Sequence, residues 1–394
     1  MKYNFDEIID RRNTGAVKYE RCKALYGSDE VLPLWVADME FRTPDFIFEA
    51  IRERCEHPIL GYTLPPKEFY PSLIKWVNDQ HQWQLQRQWI GFLPGIVPGL
   101  SFAVQSLTLP GDEIIVQPPV YYPFFHVVKN NKRILINNPL QIINGKYEMD
   151  FEDLESKITS NTKLFILCNP HNPGGRVWDL NTLTRLAEIC TKHNIIVVSD
   201  EIHADMVLAG HKHIPFATVS ESAAQKSLTF MAPSKTFNMP GLISSSYIIP
   251  NEELRNQFVD FLEASELTGG NIFAYAATVA AYEKGDEWRK QMLEYVQENI
   301  EFVVDFMKTN IPQIKPMIPE ASFLVWLDCE ELGMDTDELF DFFAKKAGLG
   351  LNKGTTFGQG GEYHLRLNVA CSRSILEKAM EQLSVAVRSL RFEV

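Results

Sequence analysis

Between residues 90 and 250, short β-branched runs alternate with amphipathic stretches, a pattern that predicts parallel strands joined by crossover helices. Residues 112–117 (DEIIVQ), 163–168 (KLFILC), 195–199 (IIVVS) and 227–231 (SLTFM) are almost continuously apolar, as strands buried on both faces require. Residues 181–193 (NTLTRLAEICTKH) set Leu183, Leu186, Ala187, Ile189 and Cys190 at helical spacing between turn signals, so a crossover helix is expected there. From about residue 253 the character changes to long amphipathic stretches. Strand-like FLVWLD and HLRLNV then mix with helix-like DTDELFDFFAKKAG and SILEKAMEQLSVAVRSL. An α/β layer is therefore followed by an α+β segment.

In an open parallel sheet, ligands sit beyond the carboxyl ends of the strands. Four short segments occupy those places: PPVYYPF, NPHNPGG, DEIHAD and APSKTFN. Composition narrows what they can do. A chain of 394 residues, 45% hydrophobic, can bury a large core in two or more domains. The formal net charge of -13 argues against nucleic acid or an anionic membrane as partner. No run approaches the ~20 apolar residues of a membrane span, and the opening MKYNFDEIIDRRNT lacks the apolar stretch of a signal peptide. A soluble, cytoplasmic protein is the expectation. Six cysteines show no CxxC pair and no Cys/His cluster at zinc spacing, so neither a metal nor a disulfide frame is expected. Cys168 and Cys190 read as small buried hydrophobes.

Lys235 follows an apolar strand and Pro233 and is flanked by Ser234 and Thr236. Such a lysine points into a cleft, although a solvated surface lysine is the ordinary alternative. Asp200 closes IIVVSD at its carboxyl end, where it can cap a helix. A carboxylate there can also hold the ring nitrogen of a pyridine cofactor protonated, making the ring an electron sink. A lysine Schiff base with such an aspartate is what pyridoxal 5'-phosphate (PLP) chemistry needs. Asn172 lies in a Pro/Gly turn, from which its amide can donate to the cofactor's phenolic oxygen. His203 falls three residues after Asp200 and shares its side if a helical turn begins there. One of Tyr121 and Tyr122 suits stacking on a flat cofactor. The Gly95 turn leads into a helix starting near Val97, whose free N–H groups can bind a phosphate.

NPHNPGG, DEIHAD, APSKTFN and the late arginine of HLRLN, taken in order, resemble the signature of fold-type I PLP enzymes. More narrowly, LWVADMEF (34–41), LGYT (60–63), APSKTFNMPGL (232–242) and FGQGGEYHLRLNVACSR (357–373) resemble the MalY/PatB group of carbon–sulfur lyases. The resemblance implies the α/β aminotransferase-like fold, with a large, mostly parallel sheet domain at about 45–285. Residues 1–44 and 286–394 would form an N-terminal arm and a small α+β domain. Lys235 would carry the cofactor, Asp200 its pyridine nitrogen, Asn172 and His203 its phenolic oxygen, and Tyr121 would stack on the ring. Ser234 and the amides of Ile96 and Val97 would form the phosphate cup, and Tyr62 would reach the phosphate from a second subunit of a homodimer. Arg366 would grip the substrate carboxylate, a task suited to a two-pronged guanidinium. Trp35 and Tyr121 are candidates for the substrate's distal end. Two departures from the group's pattern, Ser372 where proline is common and Glu40 where aspartate is common, bear on the neighbourhood of Arg373 and on the role of Glu40. Arg373 itself is expected to be a surface charge. The implied reaction is β-elimination of a thiol from a sulfur amino acid. Transamination by the same residues, or a regulatory protein with residual lyase activity, are the competing expectations.

Overall fold

The computed structural model describes residues 2–390. Seven strands form its large sheet: β1 (Ile90–Leu93), β2 (Glu113–Val116), β3 (Ile134–Asn137), β4 (Thr162–Cys168), β5 (Ile196–Asp200), β6 (Ser227–Met231) and β7 (Ser245–Ile248). Their order is β1-β7-β6-β5-β4-β2-β3, with β7 antiparallel to both neighbours and every other pair parallel. The continuous apolar runs follow from burial on two faces. Ile114, Val116, Leu164, Ile166, Val198, Leu228 and Phe230 pack on one side with the helix Ile96–Leu107. Ile115, Phe165, Leu167 and Val197 pack on the other with Leu183, Leu186, Ala187 and Cys190 of the helix Leu180–Lys192.

The four expected strands and the crossover helix are present. β1, β3 and β7 were not anticipated, and each hides its pattern for a local reason. β3 is a partly exposed edge strand, and β7 begins with two serines. β1 contains Gly91, where any Cβ would fall within 2.1 Å of the Tyr247 hydroxyl on β7. A glycine inside a strand thus marks close approach rather than a break.

A second sheet follows in the order β8 (Lys315–Met317), β9 (Leu324–Asp328), β11 (His364–Asn368), β10 (Asn352–Lys353), all antiparallel. The helices Asp286–Asn310 and Arg373–Ser389 pack with it. Phe5, Leu34, Met39 and Phe41 near the chain start join this same cluster. The expected helix at DTDELFDFFAKKAG is shorter than its pattern: Asp335 and Glu338 form a capping box, the α-helix runs Thr336–Asp341, and Phe342–Lys346 widens into a π turn. That turn buries Phe342, Phe343 and Ala344 in succession. Arg373 is not the free surface charge expected: it is half-buried, with its guanidinium 4.7 Å from the Phe302 ring centre and Nε donating to Asn299 Oδ1. No helix among the described residues is long and apolar enough to cross a membrane.

Candidate active site

The carboxyl ends of β4, β5 and β6 lie side by side, with Cys168 opposite Asp200 and Asp200 opposite Phe230. Beyond them is a cavity of about 300 Å³. Asp200, His203, Ser234 and Lys235 line it, and Tyr121, Asn172, Ile96 and Val97 close it. All the expected site residues except Arg366, Tyr62 and Trp35 therefore meet in one space. Tyr121 is the tyrosine that faces it; Tyr122 turns towards Phe357 and His126.

Each side chain is set by a short local structure. Lys235 rides a single tight turn, in which Phe237 N–H donates to Pro233 O and Met239 N–H to Ser234 O. Its Nζ donates to Ala37 O at 2.6 Å. Gly95 has φ 137°, open to glycine but strained for other residues, and it starts the helix Ile96–Leu107. The first intrahelical bond is Gly99 N–H to Gly95 O, so the N–H groups of Ile96 and Val97 have no intrahelical carbonyl to reach. Pro98 offers no N–H. Asn172 Oδ1 accepts from Arg366 Nη1 at 3.0 Å, which leaves the Asn172 amide nitrogen as the group with hydrogens to give.

The electrostatics are those of buried groups with no opposite charge in direct contact among the described residues. Burial raises the Asp200 carboxyl to about 7, partly offset by the Ile202 N–H that donates to it at 3.1 Å and then by the pull of Lys235. Burial lowers Lys235 to about 8 against the opposing pull of Asp38. Burial also drops His203 to about 3, helped by Lys235 and Arg366, so its ring is neutral at physiological pH. His203 Nδ1 and Arg366 Nε are buried with no hydrogen-bond partner among the described residues. Buried polar atoms are normally paired, and of these two His203 lines the cavity while Arg366 bonds to its wall at Asn172.

Arg366, on β11, lies beside the cavity and reaches it through Asn172. Its Nη2 donates to Trp35 O at 3.0 Å and to Asn352 Oδ1 at 2.6 Å. Tyr62 is fully exposed, in a strip with Ile59, Leu60 and Leu64, and does not meet its own chain's cavity. Cys168, read as inert core, is buried but also lines the cavity, where its Sγ accepts from Asn172 N–H at 3.3 Å.

Sequence reasoning did not find the inner face of residues 35–41. Asn368 Nδ2 donates to Val36 O and Asp38 O. Asn238, at φ 51°, donates to Met39 O and Phe41 O and accepts from Met39 N–H. Behind this strap, Lys18 bridges Asp38 and Glu40 at 2.8 and 2.7 Å, and Arg11 meets the same pair at 2.7 Å. The missed signal was Asn238 itself, since asparagine is the usual non-glycine residue at positive φ.

A seven-stranded sheet of this order with a buried lysine and aspartate at its carboxyl edge defines a class, and the chain belongs to it: residues 29–383 match the aminotransferase class I and II family. Within that class the chain is 44% identical over 385 residues to the cystathionine beta-lyase PatB of Bacillus subtilis, covering 98% of this chain and 100% of the relative. It is also similar to two solved structures. Cystalysin from Treponema denticola, which contains pyridoxal 5'-phosphate, superposes with a TM-score of 0.96 at 36% identity, over 99% of this chain and 100% of that one. The PLP-bound C-S lyase from Staphylococcus hominis gives 0.92 at 36%, over 98% of both chains. The donor set here fits that cofactor: a low-pKa amine for its aldehyde, a buried carboxyl for its ring nitrogen, and helix-start amides with a serine for its phosphate.

Proposed function

We propose that the protein is a PLP-dependent carbon–sulfur β-lyase that cleaves a β-thiol from an L-amino acid to give pyruvate, ammonia and the thiol. The observation carrying this reading is the convergence of Lys235 and Asp200 in one cavity, in a chain so similar to a cystathionine β-lyase over its whole length. When bound, the cofactor supplies the electron sink that lets the substrate's Cα–H bond ionise. The protein does the rest. Lys235, whose amine burial lowers to about 8, would take the α-proton. The Ala37 carbonyl gives its Nζ a second place to rest.

Asp200 would hold the ring nitrogen and ionise against that positive partner. Asn172 and neutral His203 would serve the phenolic oxygen, and Ser234 with the Ile96 and Val97 amides would hold the phosphate. Arg366 would take the substrate carboxylate with its unpaired Nε edge. Tyr121 would pack against the ring. Loss of the α-proton and departure of the β-sulfur as thiol leave a three-carbon product that water converts to pyruvate and ammonia.

The reading includes a cytoplasmic homodimer, with the exposed strip around Tyr62 seated on the neighbour, where Tyr62 adds to the phosphate cup. It also includes a cofactor domain at about 45–285, with 1–44 and 286–394 forming the small domain. The test is purified protein supplied with cystathionine and no keto acid: pyruvate release supports the lyase, and strict dependence on an acceptor sinks it in favour of transamination.

A further inference from the structure

Asp200, Ile202 and His203 face the cavity, whereas Glu201 and Asp205 of the same segment turn into the protein behind it. Glu201 accepts from Ser199 Oγ at 2.8 Å and Phe216 N–H at 2.9 Å, and sits 2.8 Å from His213 Nε2. Asp205 Oδ1 accepts from Trp76 Nε1 at 3.0 Å and lies 2.8 Å from His81 Nε2. Its Oδ2 accepts from Thr236 Oγ1 at 3.4 Å. The two histidine rings meet edge to face with centres 5.2 Å apart, so the two carboxylates belong to one buried network.

Such a network is a poor source of net stability, because apolar replacement of a buried ionic pair is often neutral or better. What it supplies is one geometry. Thr236 is fully buried and directly follows Lys235, while Asp205 lies two residues beyond His203. We infer that Asp205 is a positioning residue: through Thr236 it ties the turn carrying Lys235 to the segment carrying Asp200 and His203, keeping the three at one mutual spacing. The inference rests on the reading of Lys235 as the cofactor lysine.

The experiment takes full-length Asp205→Asn, Thr236→Val and the double variant, each stripped of cofactor. PLP is titrated back by visible absorbance, thermal unfolding is followed, and kcat and KM are measured with cystathionine. Borohydride trapping on the unaltered protein comes first: no adduct at Lys235 sinks the cofactor reading itself. With the adduct present, Asp205→Asn is expected to bind PLP ~10–100-fold more weakly, or to lose that much kcat at nearly constant KM, as loss of an outer support to a site does. Thr236→Val, which keeps the His81 and Trp76 bonds, moves the same way, and the double variant is no worse than the poorer single. Fully additive losses, or a folded Asp205→Asn with unchanged affinity and kcat, overturn the inference. If Asp205→Asn does not fold, Thr236→Val decides: reduced kcat at an unchanged unfolding temperature supports the link, and unchanged kcat refutes it.

Discussion

The floor of the cavity and the strap at its rim bury charge in opposite ways. On the floor, Asp200, His203 and Lys235 each stand without a counter-ion in contact among the described residues, and burial drives all three towards their neutral forms. At the rim, Asp38 feels the upward push of burial too, but Lys18 and Arg11 more than offset it and hold its carboxyl below the usual range. The rim is finished by its own side chains. The floor's groups lack such partners among the described residues, and the proposed cofactor, with its ring nitrogen and aldehyde, would supply them.

Lys235→Ala is expected to lower pyruvate release by ~10²–10⁴-fold or more while leaving the unfolding temperature of the cofactor-free protein level or higher; a clear fall in that temperature refutes it. The mirror experiment at the rim is Lys18→Met, which leaves Arg11 as the one cation on Asp38 and Glu40, with the Tyr19 hydroxyl still on Glu40. Leaving a buried charge uncompensated costs about 3–5 kcal/mol, read as a shift in the urea midpoint, and a shift below a quarter of that would show the cluster to be dispensable.

A smaller effect sharpens the floor side. Asp200 has a folded pKa of about 7 against 3.8 unfolded. The folded carboxyl therefore stays protonated where the unfolded one has already ionised, and cofactor-free stability falls as pH rises from about 4 to about 7. Asp200→Asn removes that loss: it should be more stable than the unaltered cofactor-free protein above pH ~7, by about 2–4 kcal/mol, with the gain fading towards pH ~4. Denaturant melts at the two pH values check this, and equal stability at both would mean the carboxyl is solvated. The same variant should bind PLP poorly.

The floor was legible in the sequence because each of its residues follows an apolar strand by a few positions, so strand pattern and site chemistry arrive together. Asp200 and Lys235 could be placed that way without any structure. The rim was not legible, because Ala37 acts through its carbonyl and Lys18 through a fold-back of about 20 residues. Neither leaves a periodic trace. β1 and β7 were hidden for a related reason: Gly91 and the serines of β7 are set by contacts between strands, not by either strand's own pattern.

Arg366 is where floor and rim meet, and its replacement gives the mildest and most discriminating case. It holds Asn172, Trp35 O and Asn352 at once, and its guanidinium lies 5.0 Å from the Phe357 ring centre. A lysine ammonium cannot span those three partners and also present a flat edge to a carboxylate. Burial lowers Arg366 to about 10, so it remains charged at neutral pH, but an ammonium in the same buried place sheds its proton more readily. Arg366→Lys is therefore expected to raise KM by ~10-fold, about 1.4 kcal/mol of carboxylate binding, with a smaller change in kcat. Its KM should climb further on the alkaline side while that of the unaltered enzyme stays level. A KM within twofold of the original and flat with pH would move the substrate carboxylate elsewhere and leave Arg366 as a brace between rim and floor.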